Sequence, residues 1–324
     1  MKLHNILFIQ IKDAIRIIFA PATIKDGLQG GKRMTYCQFI AAVKKEVECN
    51  VDRNVQIDVH IALKNNDKER RGLIFREEGI NISPAIYLEE EYKEFQGGKD
   101  LHKIVHDILE VYESARLPKR CEVDNLQEFG KIRKNVLCKL INLEKNREFL
   151  KDTPYVPFFD LAIVCYVLVE LSECGIATMP IKVTQLNLWG VGEMELFQVA
   201  RENVQKQFPA ELRRMKDVIA EMLGMDSVDA EDDNMYVLSN EMRNFGAVCI
   251  TYDNVLELIG EELKENYYII PSSVHEVIIV PESKAPQKEE IEEMVTEINE
   301  TQVEEEEVLS NRIYFYNIQE KIMS

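Results

Sequence analysis

Residues 266–281 read Asn266-Tyr-Tyr-Ile-Ile-Pro271-Ser-Ser-Val-His-Glu276-Val-Ile-Ile-Val-Pro281. Two runs of β-branched and aromatic residues, Tyr267–Ile270 and Val277–Val280, flank a polar kernel of Ser272, Ser273, His275 and Glu276. Short apolar runs of this composition, bounded by proline, read as buried strands. The link between them is short enough to read as a tight corner. Tyr267–Val280 therefore reads as two strands or as a strand pair with a tight corner.

Working outward toward the N-terminus, Met235–Ser239 and Gly246–Thr251 read as strands and Asn254–Lys264 as a helix. Glu193–Phe208 and Ala210–Leu223 read as helices divided by Pro209, which cannot continue a helix. Val136–Leu143 reads as a strand. The long apolar run Phe158–Leu171 is favoured as a buried strand by its β-branched and aromatic content, and is too short to span a bilayer. Near the start, Thr35–Val47 is an amphipathic helix with Thr35 as N-cap candidate. Val55–Leu63 alternates with period two, Asn65-Asn66-Asp67 makes a turn, and Gly72–Arg76 and Ser83–Leu88 follow as strands. Glu89–Phe95 and Asp100–Arg116 are the next helices. Toward the C-terminus, the acidic segment Lys288–Glu307 carries a helical apolar stripe of Ile291, Met294, Val295 and Ile298, and Val308–Asn317 reads as a closing strand. Strands and helices alternate irregularly. The expected class is therefore α+β, with mixed or antiparallel sheets and flanking helices, and not a doubly wound parallel sheet.

The acidic loop after Gly224 suggests an internal boundary. The expected organisation is an N-terminal region over 34–223, a strand–helix–strand region over 235–281, an acidic helix or linker over 282–308 and a terminal strand over 309–324. Residues 1–33 stand apart. Gln29-Gly-Gly-Lys-Arg33 before Met34 can be encoded by a purine-rich string containing AGGAGG, a bacterial ribosome-binding site at ordinary spacing from a start codon. We therefore expect translation to begin at Met34, with residues 1–33 an upstream extension.

Net charge is -18 and is unevenly spread. Residues 34–150 hold 20 Lys/Arg against 21 Asp/Glu, whereas residues 151–324 hold 13 against 34, a balance of -21. Such a surface repels phosphate backbones and argues against general nucleic-acid binding. The seven cysteines form no Cys-x-x-Cys pair, which removes the short ligand pair that anchors a zinc site and fits free thiols in a reducing cytoplasm. No metal, cofactor or membrane span is expected; the partner is left open, with a protein as one candidate.

Within the kernel, an extended backbone places Ser273 and His275 on one face and Glu276 on the other. A hydroxyl and an imidazole on one face make a candidate nucleophile and base. The competing roles are structural: Ser273-x-x-Glu276 fits a capping box, and Ser272 and Ser273 after Pro271 fit a side-chain-stabilised corner. Asn240 and Tyr252 join Ser272 and Glu276 as candidate binding residues. His102 and His106 share a helix face, but the segment His-Lys-Ile-Val-His lacks the glutamate of a zinc-peptidase helix.

Five segments carry a resemblance: Gly79-Ile-Asn-Ile-Ser-Pro-Ala-Ile-Tyr-Leu88, Pro157-Phe-Phe-Asp-Leu-Ala-Ile-Val164, Asn244-Phe-Gly-Ala-Val-Cys-Ile-Thr-Tyr252, Tyr267–Pro281 and Val308-Leu-Ser-Asn-Arg-Ile-Tyr314. The chain resembles the bacterial domain-of-unknown-function family 5688 of gut Firmicutes from Met34 to the C-terminus. The resemblance implies no activity, cofactor or catalytic residue. The functional expectation is a binding or interaction module, with two alternatives: a hydrolase using Ser273 and His275, and an acidic nucleic-acid mimic. The start at Met34 predicts a native polypeptide lacking residues 1–33, which an intact-mass measurement on protein from its own host reads directly.

Overall fold

The computed structural model describes residues 34–77, 85–115, 127–172, 175–225, 235–271 and 273–324. They fall into two compact units, the described part of Thr23–Lys64 with Lys68–Lys131, and a larger one of Asn65–Asp67 with Ile132–Ser324. The acidic loop expected as an internal boundary falls on residues 226–234, which lie outside the described residues.

In the smaller unit, helix α1 (Tyr36–Asn50) opens with a capping box. Thr35 Oγ1 accepts from Gln38 N, and Gln38 Oε1 accepts from Thr35 N. This satisfies two of the amide groups that a helix start leaves without partners. Phe39, Ile40, Val43 and Val47 recur at helical spacing and bury one face. They join Ile57 of β1 (Val55–Leu63), Leu73 and Phe75 of β2 (Glu69–Glu77), Ile86 of β3 (Ala85–Tyr87) and Ile104, Val105 and Ile108 of α3 (Leu101–Ala115). The sheet order is β1-β2-β3, antiparallel throughout. Gly72 allows β3 to close on β2, because a Cβ there would stand 2.6 Å from the carbonyl oxygen of Ile86. Helix α2 (Glu89–Gln96) links β3 to α3.

The larger unit holds two sheets. In the first, β6 (Leu161–Ser172) pairs with β4 (Val136–Asn142) along one edge, and with β5 (Tyr155–Phe158) and then β7 (Gly175–Pro180) along the other. Short helix α4 (Phe129–Ile132) spans the chain boundary between the two units, while α5 (Arg147–Leu150) follows β4 and α6 (Val183–Trp189) follows β7. The turn Asn65–Asp67 belongs to this unit. Its Asp67 carboxylate accepts from the amides of Glu148 and Phe149 and caps α5, while Asn66 Nδ2 donates to Val308 O. Helix α7 (Glu193–Gln207) packs on β4 through Leu196, Val199, Ala200 and Val204.

The second sheet is built from β8 (Ala210–Arg214), β9 (Tyr236–Asn240), β10 (Tyr267–Ile270), β11 (Val277–Pro281), β12 (Tyr314–Asn317) and β13 (Ile322–Met323), in the order β13-β12-β10-β11-β9-β8, all antiparallel. The segment 266–281 forms its centre, with β10 (Tyr267–Ile270) and β11 (Val277–Pro281) paired from Tyr267↔Pro281 to Ile270↔Ile278. Helix α10 (Lys288–Thr301) lays Ile291, Met294, Val295 and Ile298 on one face of this sheet, against Ile270, Ile278 and Val280. Its opposite face exposes Glu289, Glu293, Glu297 and Glu300. The acidic segment is thus an amphipathic helix docked in the core.

The fold is α+β with antiparallel sheets, as the irregular alternation of elements implies. Three segments differ from the pattern-based expectation. Ala210–Arg214 is strand β8, paired with β9 (Tyr236–Asn240) from Ala210↔Asn240 to Arg214↔Tyr236, and only Met215–Met222 forms helix α8. Gly246–Thr251 is a buried 3-10 segment, because Phe245 in the left-handed region turns the chain off the strand path. In the closing segment only β12 (Tyr314–Asn317) is strand, followed by β13 (Ile322–Met323); helix α9 (Val255–Leu263) precedes β10 as expected. No helix among the described residues is long and apolar enough to cross a membrane.

Truncating the α10 stripe tests this core. Ile291→Ala should cost about 2–4 kcal/mol by removing a fully buried side chain, whereas Glu293→Ala on the exposed face should stay within about 0.5 kcal/mol. Urea denaturation of both variants measures the difference.

Candidate functional site

The polar kernel closes the corner between β10 and β11. Pro271 O accepts from Ser310 N at 2.9 Å, and Val274 N donates to Glu307 O at 2.9 Å. Ser273 is fully buried. Its Oγ accepts from His275 N at 3.0 Å. Such a bond from a serine oxygen to the amide two residues on requires a bend, so the backbone here is not extended. The imidazole turns to other partners. His275 Nδ1 accepts from Phe245 N at 3.3 Å, which leaves the proton of a neutral ring on Nε2, 3.6 Å from Glu307 Oε1. The ring stacks on Phe245 with centroids 5.7 Å apart. Ser273 and His275 are thus neighbours whose functional atoms serve different contacts. Ser272 lies outside the described residues.

The surrounding chain is tightly constrained. Phe245 has a φ of +53°, and a Cβ on Gly246 would meet Ser239 Oγ and stand 2.6 Å from His275 O. Ser239 Oγ donates to His275 O at 2.8 Å. Asn240 is buried, with its amide clamping both the N–H and the carbonyl of Asn244. Tyr252 is buried and donates to Phe208 O at 3.1 Å, and burial raises its pKa. Two oxygens here are buried and make no hydrogen bond among the described residues, Glu276 Oε1 and Asn244 Oδ1. Burial raises the pKa of Glu276, opposed by the nearby His275 and Ser273.

A second feature emerges only in three dimensions. A cleft of about 630 Å³ opens in the larger unit. Its apolar floor combines Cys138, Val156, Phe158 and Ile163 from the first sheet with Phe197, Ile250, Leu256 and Met323. Burial pushes the Cys138 thiol up to about 12, so it stays neutral and acts as a small apolar surface. The polar rim is mostly one helix face: Gln198, Arg201, Glu202 and Gln205 stand three, four and seven residues apart on α7. Thr251 and Asp253 complete it. Arg201 pairs with Asp253, whose carboxylate also accepts from Gln205 Nε2 at 3.3 Å and whose amide donates to Gln205 Oε1 at 3.1 Å. Gln198 Nε2 donates to Glu202 Oε1 at 3.0 Å.

The kernel and the cleft are connected. Ala247 N donates to Val274 O at 3.3 Å and Phe245 N to His275 Nδ1, so the corner anchors the start of the 3-10 segment. That segment ends in Ile250 and Thr251, which line the cleft. The spacing Gln198-x-x-Arg201-Glu202-x-x-Gln205 was legible in the sequence as a polar helix face; nothing in it marks that face as the wall of a cleft. Each histidine of α3 has a carboxylate beside it. His102 Nδ1 contacts Glu46, and His106 Nδ1 lies 3.7 Å from Glu110 on the exposed face.

Two measurements probe the kernel. Ser273→Ala removes the acceptor of the buried His275 amide and should cost about 1–3 kcal/mol, seen as a lower denaturation midpoint. Glu276 holds its proton more tightly folded than unfolded. Its contribution therefore makes stability fall as pH rises from the ordinary value of 4.5 through the raised pKa. Glu276→Gln should flatten that decline in urea midpoints taken over about pH 4–8; an unchanged slope would exclude the buried carboxylate as its source.

No curated protein and no solved structure gives a match to this chain. A model of a family of unknown function (DUF5688) matches residues 36–318. That span covers both units and contains the polar corner, its supports and nearly all of the cleft lining. The chain belongs to this family of unknown function, DUF5688.

Proposed function

We propose that the protein is a binding module whose site is the cleft of the larger unit, and that the Ser273–Glu276 corner positions one wall of that cleft without acting as a catalyst. The observation that carries this reading is the pairing of an apolar floor with a polar rim drawn from one helix face, in a cleft of about 630 Å³. Small-molecule sites have this size and this composition, with a few polar groups fixing orientation above an apolar surface. The described cysteines are free thiols, which supports a reducing, cytoplasmic setting.

A hydrolase centred on Ser273 draws less support. A serine nucleophile is activated by hydrogen bonding to its base, whereas Ser273 Oγ bonds the backbone amide of His275 and the imidazole is turned to Phe245 N and Glu307. The serine is also fully buried. These contacts suit a group that fixes a turn.

Nile red, a neutral apolar dye whose fluorescence rises in apolar surroundings, tests the cleft. The parent protein should bind it saturably with a single site per chain. Val156→Trp places an indole at a half-exposed lining position on β5 and should abolish that binding while leaving the denaturation midpoint close to the parent's. Dye binding that Val156→Trp leaves unchanged would remove the cleft as the site.

A further inference from the structure

We infer that the natural ligand of the cleft is an amphipathic cation, an apolar body carrying an ammonium head; this rests on the cleft being the binding site. Three observations point to the sign of the head group. First, the rim carries two carboxylates, Glu202 and Asp253, against one guanidinium, Arg201. Second, Arg201 is already occupied by Asp253. An anionic ligand that recruited Arg201 would leave both carboxylates facing it, whereas an ammonium joins the carboxylates and lets Arg201 swing outward. That exchange is cheap, because the side chains of Arg201 and Asp253 are 56% and 61% exposed and such pairs contribute little. Gln205 and Gln198 hold Asp253 and Glu202 by hydrogen bonds, so the carboxylates are the better-fixed charges.

Third, the surroundings reinforce the rim. Residues 151–324, which supply all of the lining except Cys138, hold 13 Lys/Arg against 34 Asp/Glu. A field of this sign concentrates cations at a cleft and repels anions. The aromatic rings of Phe158 and Phe197 in the lining add faces to which an ammonium is attracted and a carboxylate is not.

The test displaces Nile red from the cleft with n-octylammonium and with n-octanoate, two probes of equal chain length and opposite charge. At low ionic strength octylammonium should displace the dye at a concentration at least about 5-fold below that needed for octanoate, the scale of one solvated ion pair. Added salt should shrink the preference. Asp253→Asn, which makes the rim neutral, should bring the two probes close to parity. Equal displacement by the two probes in the parent, or a preference for octanoate, overturns the inference while leaving the cleft as the site. Absence of saturable dye binding overturns both.

Discussion

The larger unit depends on a strand that is buried on both sides. All five residues of β11 are buried, so the sheet through its centre has to be covered on each face. Helix α10 covers one face with Ile291, Met294, Val295 and Ile298. On β10, Tyr267 reaches the other way, donating from its hydroxyl to Leu256 O at 2.7 Å and stacking on Tyr316 of β12. Parallel sheets normally meet this demand with crossover helices. Here an antiparallel sheet meets it with α10 on one side, and with α9 and the 3-10 segment before it on the other. Leu256 and Ile250 reach the cleft because they sit on the elements that cover that second face.

How much of this was legible in the sequence depends on how local each determinant is. The runs Tyr267–Ile270 and Val277–Val280 and the stripe of α10 declare themselves, because burial of one contiguous segment leaves a periodic trace. The strand β8 does not. Ala210–Arg214 has only Leu212 as a large apolar residue, and its strand state comes from hydrogen bonds to β9, a partner more than twenty residues away. Gly246–Thr251 reads as apolar and is indeed buried, but the left-handed Phe245 that sends it into a 3-10 path is set by a neighbour, His275. For the site, alternation put Ser273 and His275 on one face only if the chain were extended, and the serine itself prevents that by bonding the His275 amide. The cleft lay furthest from sequence reasoning, since its lining runs from Cys138 to Met323 across separate elements.

The kernel concentrates polar atoms where the chain has least room. Ser239, Asn240, Ser273 and Gly246 are each required by a neighbour's backbone, and Glu276 reaches among them with one buried oxygen unpaired. Isolated buried carboxylates are unfavourable when charged, which is why the group holds its proton above the ordinary range. Such a network tolerates few alternative backbone paths. Its rigidity passes through Phe245 and Ala247 into one wall of the cleft. The shape of one cleft wall thus originates in a corner that is not itself part of the lining.

The two ends of the second sheet bear on how copies of the chain meet one another. A sheet with an open, apolar margin recruits strands from other molecules and grows. At one margin stands β8, whose five residues include Glu211, Arg213 and Arg214. At the other stands β13, only two residues long. A foreign strand meets charge at the first margin and almost no template at the second. The same weakly apolar composition that hid β8 from pattern reading therefore equips it as a stop signal, and the highly apolar β10 and β11 remain enclosed between two poor templates.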